Sequence, residues 1–233
     1  MLHAQDIKNL AHQLGADLVG IAAAERFGNA PEGYHPADVL PNCCSVVVLA
    51  GRWNPATMMA ASVSPYWITR NYLSDKMTFM AAQLAEQLTD AGALSVPIGS
   101  NYPDDLDPRT GRFRGTLSLK HAAELAGLGR IGRNTLLVND QLGNALWLSA
   151  VVTEAQLDSD PIADYVSCIP GCKLCVSACP AHALDGEQID QNACYAHAYG
   201  ARDGGEYRIH CFNCRKACPN RFGVAMKSAK PAT

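Results

Sequence analysis

Cys168-Ile169-Pro170-Gly171-Cys172-Lys173-Leu174-Cys175-Val176-Ser177-Ala178-Cys179-Pro180 is the stretch on which the reading of this chain turns. Four cysteines, separated by three, two and three residues, end on a proline. A second run, Cys211-x2-Cys214-x3-Cys218-Pro219, repeats the later part of that pattern, and Cys194 stands 17 positions ahead of it. Ten cysteines occur in 233 residues; eight fall between Cys168 and Cys218, and only Cys43 and Cys44 precede them. That is below the density of a disulfide scaffold, and a chain of this length buries enough core to need no covalent staples. Thiols crowded in this way point to metal.

Thiolates are soft anionic donors, and four of them complete a four-iron cubane. In bacterial two-cluster sequences three closely spaced cysteines serve one cluster, and the fourth, before the proline, serves the other. That rule gives Cys168, Cys172, Cys175 and Cys218 to one 4Fe-4S cluster and Cys179, Cys194, Cys211 and Cys214 to a second, with none left over. Paired C-x2-C elements also bind zinc, but zinc explains neither the third cysteine of the first run nor the two Cys-Pro endings. The first gap is one residue longer than usual, and a turn at Pro170-Gly171 can absorb it. His182, His197 and His210 lie near these cysteines in sequence, but eight thiols suffice, so the histidines read as surface or outlying groups. Cys43 and Cys44, just before an apolar strand, read as buried small hydrophobes.

Outward from the cysteines the composition changes. Residues 1–157 read as an α/β cofactor-binding core, 158–226 as a ferredoxin-like module broken by prolines, and 227–233 as a tail. Ile7, Leu10 and Leu14 make a helical stripe stopped by Gly15. Ala16–Ala22 and Ser45–Ala50 (SVVVLA) read as strands, the second continuous enough to be buried on both faces. Leu73, Met77, Met80, Leu84 and Leu88 predict a helix over Tyr66–Ala91 capped by Gly92. Ala93–Ile98 is a short strand, Ser118–Ala126 a helix, and Thr135–Val138 and Ala145–Thr153 two strands joined through 139–144. The expected fold is α/β (α+β), with mixed strand directions in the core sheet.

The chain is 48% hydrophobic and 18% charged, which excludes disorder. Nineteen Lys and Arg against 22 Asp and Glu leave a net charge of −3, so a nucleic-acid partner is not expected. The longest apolar stretch, Ala145–Val152, is far shorter than the ~20 residues of a membrane span. The first 30 residues lack the pattern of a secretory signal. A cytoplasmic protein is expected.

Gly127-Leu128-Gly129-Arg130-Ile131-Gly132 matches G-x-G-x-x-G, but a helix precedes it and a strand follows, the reverse of a dinucleotide site. As a tight helix-to-strand turn its backbone can still approach a flat cofactor, which makes Gly127, Gly129, Arg130, Gly132 and Asn134 the candidate cofactor contacts. Gly99–Gly115 is a long segment without apolar periodicity, the candidate substrate mouth. Arg109, Arg112 and Arg114, with Lys120, Arg130 and Arg133, outnumber Glu124 there, and Tyr102 and the three loop arginines are candidates for proton donor or substrate clamp. From Arg202 onward seven basic residues face two acids, suited to docking an acidic electron donor such as a ferredoxin or flavodoxin.

Taken together, LGADLVGIA at Leu14–Ala22, SVVVLA at Ser45, HAAELAGLGRIGRNTLLV at His121–Val138 and the order of cysteines resemble the epoxyqueuosine reductases and their shorter relatives, which share a fold with the core of reductive dehalogenases. The resemblance implies a nitroreductase-like core that binds cobalamin, with the clusters feeding electrons to the cobalt. It departs in two places. Family members carry a proton-donating aspartate in a Val-Asp-x-x-Pro stretch; counted back from Gly127, that place falls near Phe113, although Asp104, Asp105 and Asp107 are nearby. The helical repeat that many members use to bind transfer RNA is also not in this sequence. The expectation is therefore a cobalamin-dependent iron–sulfur reductase of unassigned substrate, a small molecule or a corrinoid protein, and not queuosine. A non-catalytic electron carrier or activator of a corrinoid protein, and a core that holds flavin instead, are the alternatives. No catalytic residue is assigned.

Overall fold

A computed structural model describes residues 2–100, 104–107, 112–201 and 207–224. Tyr102, Arg109 and the 227–233 tail lie outside the described residues. In chain order the structure begins with α1 (Ala4–Gln13), β1 (Leu18–Ala23), α2 (Pro36–Val39), β2 (Ser45–Arg52), α3 (Pro55–Met59), α4 (Ser64–Asp90) and β3 (Ser95–Ile98). A hairpin of β4 (Asp104–Asp107) and β5 (Arg112–Gly115) follows, then α5 (Leu119–Leu125), the short pair β6 (Arg130–Ile131) and β7 (Leu137–Val138), and β8 (Leu146–Thr153). The cysteine-bearing region holds α6 (Leu174–Ser177), α7 (Gln191–Ala198), β9 (Tyr199–Ala201), β10 (Tyr207–Ile209) and α8 (Asn213–Lys216). No helix among the described residues is long and apolar enough to cross a membrane.

The central sheet has the order β1-β2-β8-β3. Central β2 is buried on both faces, which is why it reads as an unbroken apolar run. On one face Ile21, Val47, Leu49 and Val151 meet α1 and α4 through Ile7, Ala11, Met77, Met80 and Leu84. On the other, Val46, Val48, Ala50, Ala150 and Val152 meet α5 through Ala122 and Ala123. The mixed strand directions expected of the core need correction: every neighbouring pair is antiparallel. The crossover through α4 does return β3 in the direction of β2, but β8 enters between them and opposes both.

With Pro65 in its first turn, α4 starts at Ser64, two residues before the predicted start at Tyr66. Its other end stops as predicted, with Gly92 at φ +93° and Ala93 N–H bonded to Leu88 O. β7 pairs with β6 and not with β8. The turn between β7 and β8 is held by Asn139, whose Oδ1 accepts from Gln141 and Leu142 N–H, both at 2.9 Å, while its Nδ2 donates to Leu128 O at 2.8 Å.

The cysteine-bearing region is seated on the core by an aromatic cluster. Trp53, Met58, Tyr66 and Leu73 of the core pack with Ile209, Tyr199 and Phe212. Tyr66 and Phe212 stack at 3.9 Å and 4°, and Trp53 stacks on Tyr66 at 4.5 Å. Before reaching it the chain follows the free edge of β1: Asp160 N–H donates to Ile21 O, and Asp160 Oδ2 accepts from Ile21 N–H at 2.8 Å.

Candidate functional site

Eight cysteines gather in two sets. Cys168, Cys172, Cys175 and Cys218 line one small cavity together with Arg133, Asn134, Ser167 and Asn220. The extra residue in the first gap is taken up by a turn in which Gly171 has φ +73° and Cys172 N–H bonds Ile169 O at 3.0 Å. Burial holds the Cys175 thiol above its ordinary value, and Cys168 and Cys172 add to this; burial does the same to Cys218, with Cys168, Cys175 and Cys172 beside it. In the second set, burial raises Cys194, helped by Cys179 and Cys211. Burial pushes Cys214 up to about 11, Arg215 pulls against it, and Cys194 and Cys211 add to the rise.

Four mutually repelling thiols can all ionise only around a cation. The four thiols of the first set face one small cavity, and in the second Cys179, Cys194, Cys211 and Cys214 lie within electrostatic reach of one another. Backbone amides point at the sulfurs, Arg133 N–H to Cys168 Sγ and Ala183 N–H to Cys179 Sγ, both at 3.3 Å. Amides of this kind stabilise thiolate charge. His182 and His197 are exposed, and His210 N–H bonds Ala198 O. Cys43 and Cys44 are half-buried, so the expectation that both are core residues needs correction.

The glycine turn serves these cysteines. A Cβ at Gly127, where φ is +75°, would run into Pro161 O, and one at Gly129 would lie 2.6 Å from Val138 O. At Gly132 it would come to 3.5 Å from Cys168 Sγ. Buried Asn134 donates through Nδ2 to Cys214 O at 3.4 Å, so it lies between the two sets. Arg130 pairs with Glu124 at 3.5 Å. None of these five candidate contacts lines the larger cavity described next.

That cavity, of about 870 Å³, opens between the β3–β8 edge of the sheet and the start of α5. Ile98, Leu146 and Leu148 form one wall and Leu119, Lys120, His121 and Leu137 another. Gly99, Ser100, Arg114 and Gly115 also line it, so both ends of the candidate mouth segment reach it; the Arg114 guanidinium lies 4.7 Å from the Tyr34 ring. Where an unstructured loop was expected, β4 and β5 pair, and the backbone of Asp105 lies opposite that of Arg114. Lys120 donates to Thr135 O at 2.9 Å, and burial lowers its pKa. Burial, aided by Lys120, also lowers that of His121, whose Nδ1 lies 2.6 Å from Ser118 Oγ.

At its inner end the cavity touches the second cysteine set through Asn144, Gln191 and Arg215. The sequence pattern gives Asn144 and Gln191 no role, and Arg215, one of the seven basic residues expected to dock an electron donor, is buried and needs correction to a cavity residue. Asn144 Oδ1 and Gln191 Oε1 are buried without a hydrogen-bond partner. Such orphaned acceptors in a cavity wall fit a ligand that carries N–H or O–H groups at its edge.

No known protein-family pattern matches the chain. Epoxyqueuosine reductase from Staphylococcus aureus (strain NCTC 8325 / PS 47) is 26% identical over 94% of this chain and 65% of its own length. That of Pseudomonas aeruginosa is 28% identical over 94% and 69%, so the chain spans about two thirds of the length of such relatives. Among solved structures, epoxyqueuosine reductase from Streptococcus thermophilus superposes with a TM-score of 0.67 at 18% identity, covering 94% of this chain and 66% of that one. The reductive dehalogenase NpRdhA gives 0.68 at 20%, covering 95% and 32%. An epoxyqueuosine reductase bound to a transfer-RNA stem loop gives 0.61 at 17%, covering 93% and 64%. The resemblance read from the motifs holds along nearly the whole chain, and the fold is the one these two groups of proteins share.

Proposed function

We propose that this chain is an iron–sulfur reductase in which two 4Fe-4S clusters pass electrons to a cobalamin in the large cavity. The observation that carries the reading is the pair of four-thiol sets, one of which adjoins the cavity. Cys168, Cys172, Cys175 and Cys218 would hold the outer cluster, and Cys179, Cys194, Cys211 and Cys214 the inner one. The third cysteine of the first run and the two Cys-Pro endings suit a cubane better than a zinc ion. The residues also fit a corrinoid: the cavity lies near the upper end of the ~300–1,000 Å³ usual for small-molecule sites. Its orphaned amide oxygens match the carboxamides that border a corrin ring.

When bound, cobalamin supplies a reduced cobalt that is a strong nucleophile and reductant. The chain's own part is to exclude water with Ile98, Leu146 and Leu148, to orient the ligand edge through Asn144 and Gln191, and to present Lys120, His121 and Arg114 to a substrate. Lys120 and His121, both with lowered pKa, are placed to exchange protons with bound substrate. An acidic one-electron donor, such as a ferredoxin or flavodoxin, would supply the electrons.

A second reading concerns substrate. The names of the relatives and the neighbour bound to a transfer-RNA stem loop favour an RNA-borne epoxide, against the initial expectation that nucleic acid is no partner. The absence of an aspartate near Phe113 speaks for a different substrate, and the β4–β5 hairpin, which sets the backbones of Asp104, Asp105 and Asp107 opposite that place, weakens the objection.

Anaerobic purification with iron and sulfide analysis, followed by titration with cob(II)alamin under paramagnetic resonance, tests the proposal. About eight irons per chain and a shift of the cobalt signal on binding are expected. Eight irons with an unchanged cobalt spectrum would leave an electron carrier or activator, and flavin absorbance in the purified protein would put flavin in the cavity.

A further inference from the structure

Arg215 is an unusual residue to find where it lies. It follows Cys214 directly, is only 7% exposed, and lines the inner end of the cavity. Its guanidinium lies 5.5 Å from the Trp53 ring and 5.6 Å from that of Trp147. Nη1 donates to Asn144 O and, at 3.4 Å, to Leu146 O, and Asn144 Nδ2 returns a bond to Arg215 O at 3.4 Å. Among the described residues no carboxylate forms an ion pair with it; the pairs there join Lys8 to Asp160 and Arg130 to Glu124. Burying a cation away from water is costly, and carbonyl dipoles and indole faces offset only part of that cost. The neighbouring source of negative charge is the thiolate set beside it.

We infer that Arg215 is the built-in counter-charge of the cluster held by Cys179, Cys194, Cys211 and Cys214, raising that cluster's reduction potential above what the same four thiolates would give alone. The inference rests on the two-cluster reading proposed above. Reduction takes one electron from an external donor, which is oxidised by one electron, and adds one negative charge to the cluster. No bond is made or broken, and no proton is needed, because a guanidinium is already charged. A fixed positive charge at short range in a low-dielectric interior favours the more negative state. Beside the other set Arg133 and Arg221 are less buried than Arg215, so solvent screens them more, although Arg221 Nη1 donates to Cys218 O at 3.2 Å and its Nε is buried. Electrons entering at the outer cluster would then run downhill toward the one that touches the cavity. Arg215 acts through the cluster, as a positioning charge.

The test is potentiometric titration of the reconstituted protein followed by paramagnetic resonance, with R215M and R215K beside wild type. R215M should lower the potential of one cluster and leave the other unchanged, and R215K should bring it back. The affected cluster is identified as the one lost in C194S. If R215M does not hold iron, R215K carries the test: it removes the planar fork from between the indoles but keeps the charge. A wild-type potential in R215K then supports the inference, and a fall overturns it. Two clusters indifferent to R215M, or both shifted together, overturn the inference alone. A wild-type protein that holds fewer than two clusters overturns the underlying reading, and the inference with it.

Discussion

The two cysteine sets are built from nearly the same spacing and set in unlike surroundings. Cys168, Cys172, Cys175 and Cys218 lie against the glycine turn, among backbone amides, Asn134 and half-exposed arginines. The second set, through Phe212 and Arg215, lies against a stack of aromatic rings and the floor of the large cavity. A motif fixes which thiols can meet, but their surroundings fix dielectric, solvent access and neighbouring charge, which set a cluster's potential. Under the function proposed above, similar sequences would then have different jobs: entry of electrons at one set, delivery at the other.

The most direct way to break it is to remove one thiol at a time. C168S and C218S should each cost about half of the iron and abolish one and the same resonance signal, and C179S and C194S should abolish the other. If C168S and C218S remove different signals, the crossed pairing is wrong and the comparison falls with it.

Next in size is the aromatic seat. Trp53 is fully buried, stacks on Tyr66 and flanks Arg215. W53A should destabilise the protein by about 3–5 kcal/mol in denaturant titration. On gentle heating the inner cluster should bleach first. Equal loss of both clusters would mean that the two surroundings are not independent.

The opposite perturbation is G132V, which crowds Val138 at 3.1 Å and Asn134 Oδ1 at 3.2 Å beside Cys168. Overpacking there should cost about 1–3 kcal/mol and alter the outer cluster's signal alone. An altered inner signal would point to transmission through Asn134, which reaches Cys214 O.

How much of this was legible in the residues follows from the range of the interactions. The double burial of β2 and the glycine stop of α4 rest on local pattern, and the structure has both. The entry of β8 between β2 and β3 does not, because strand order is decided by which edge the chain reaches after 40 or more intervening residues. The glycine turn was read as a cofactor contact because glycine permits close approach; what approaches is Val138 O, Pro161 O and the Cys168 sulfur. The cavity positions of Asn144, Gln191 and Arg215 went unnoticed since nothing in their spacing predicts that β8, α7 and α8 meet at one cavity wall.

The smallest effect concerns the strap that joins the core to the outer set. Tyr165 OH donates to Val138 O at 2.9 Å, and burial, with Asp140 adding to it, raises its pKa to about 12. An unfolded tyrosine ionises near ~10. The native state holds the proton more tightly, so this contribution is fully present below pH ~10 and is lost as the pH rises toward about 12. Y165F should cost about 1 kcal/mol at neutral pH, the net value of one hydrogen bond, and should flatten the alkaline part of the stability profile. Denaturant midpoints of the two proteins between neutral pH and pH ~11 check both points. A Y165F profile that falls as steeply as wild type would place the alkaline transition in another group, and an undisturbed outer cluster signal in Y165F would show that the strap and the cluster are held separately.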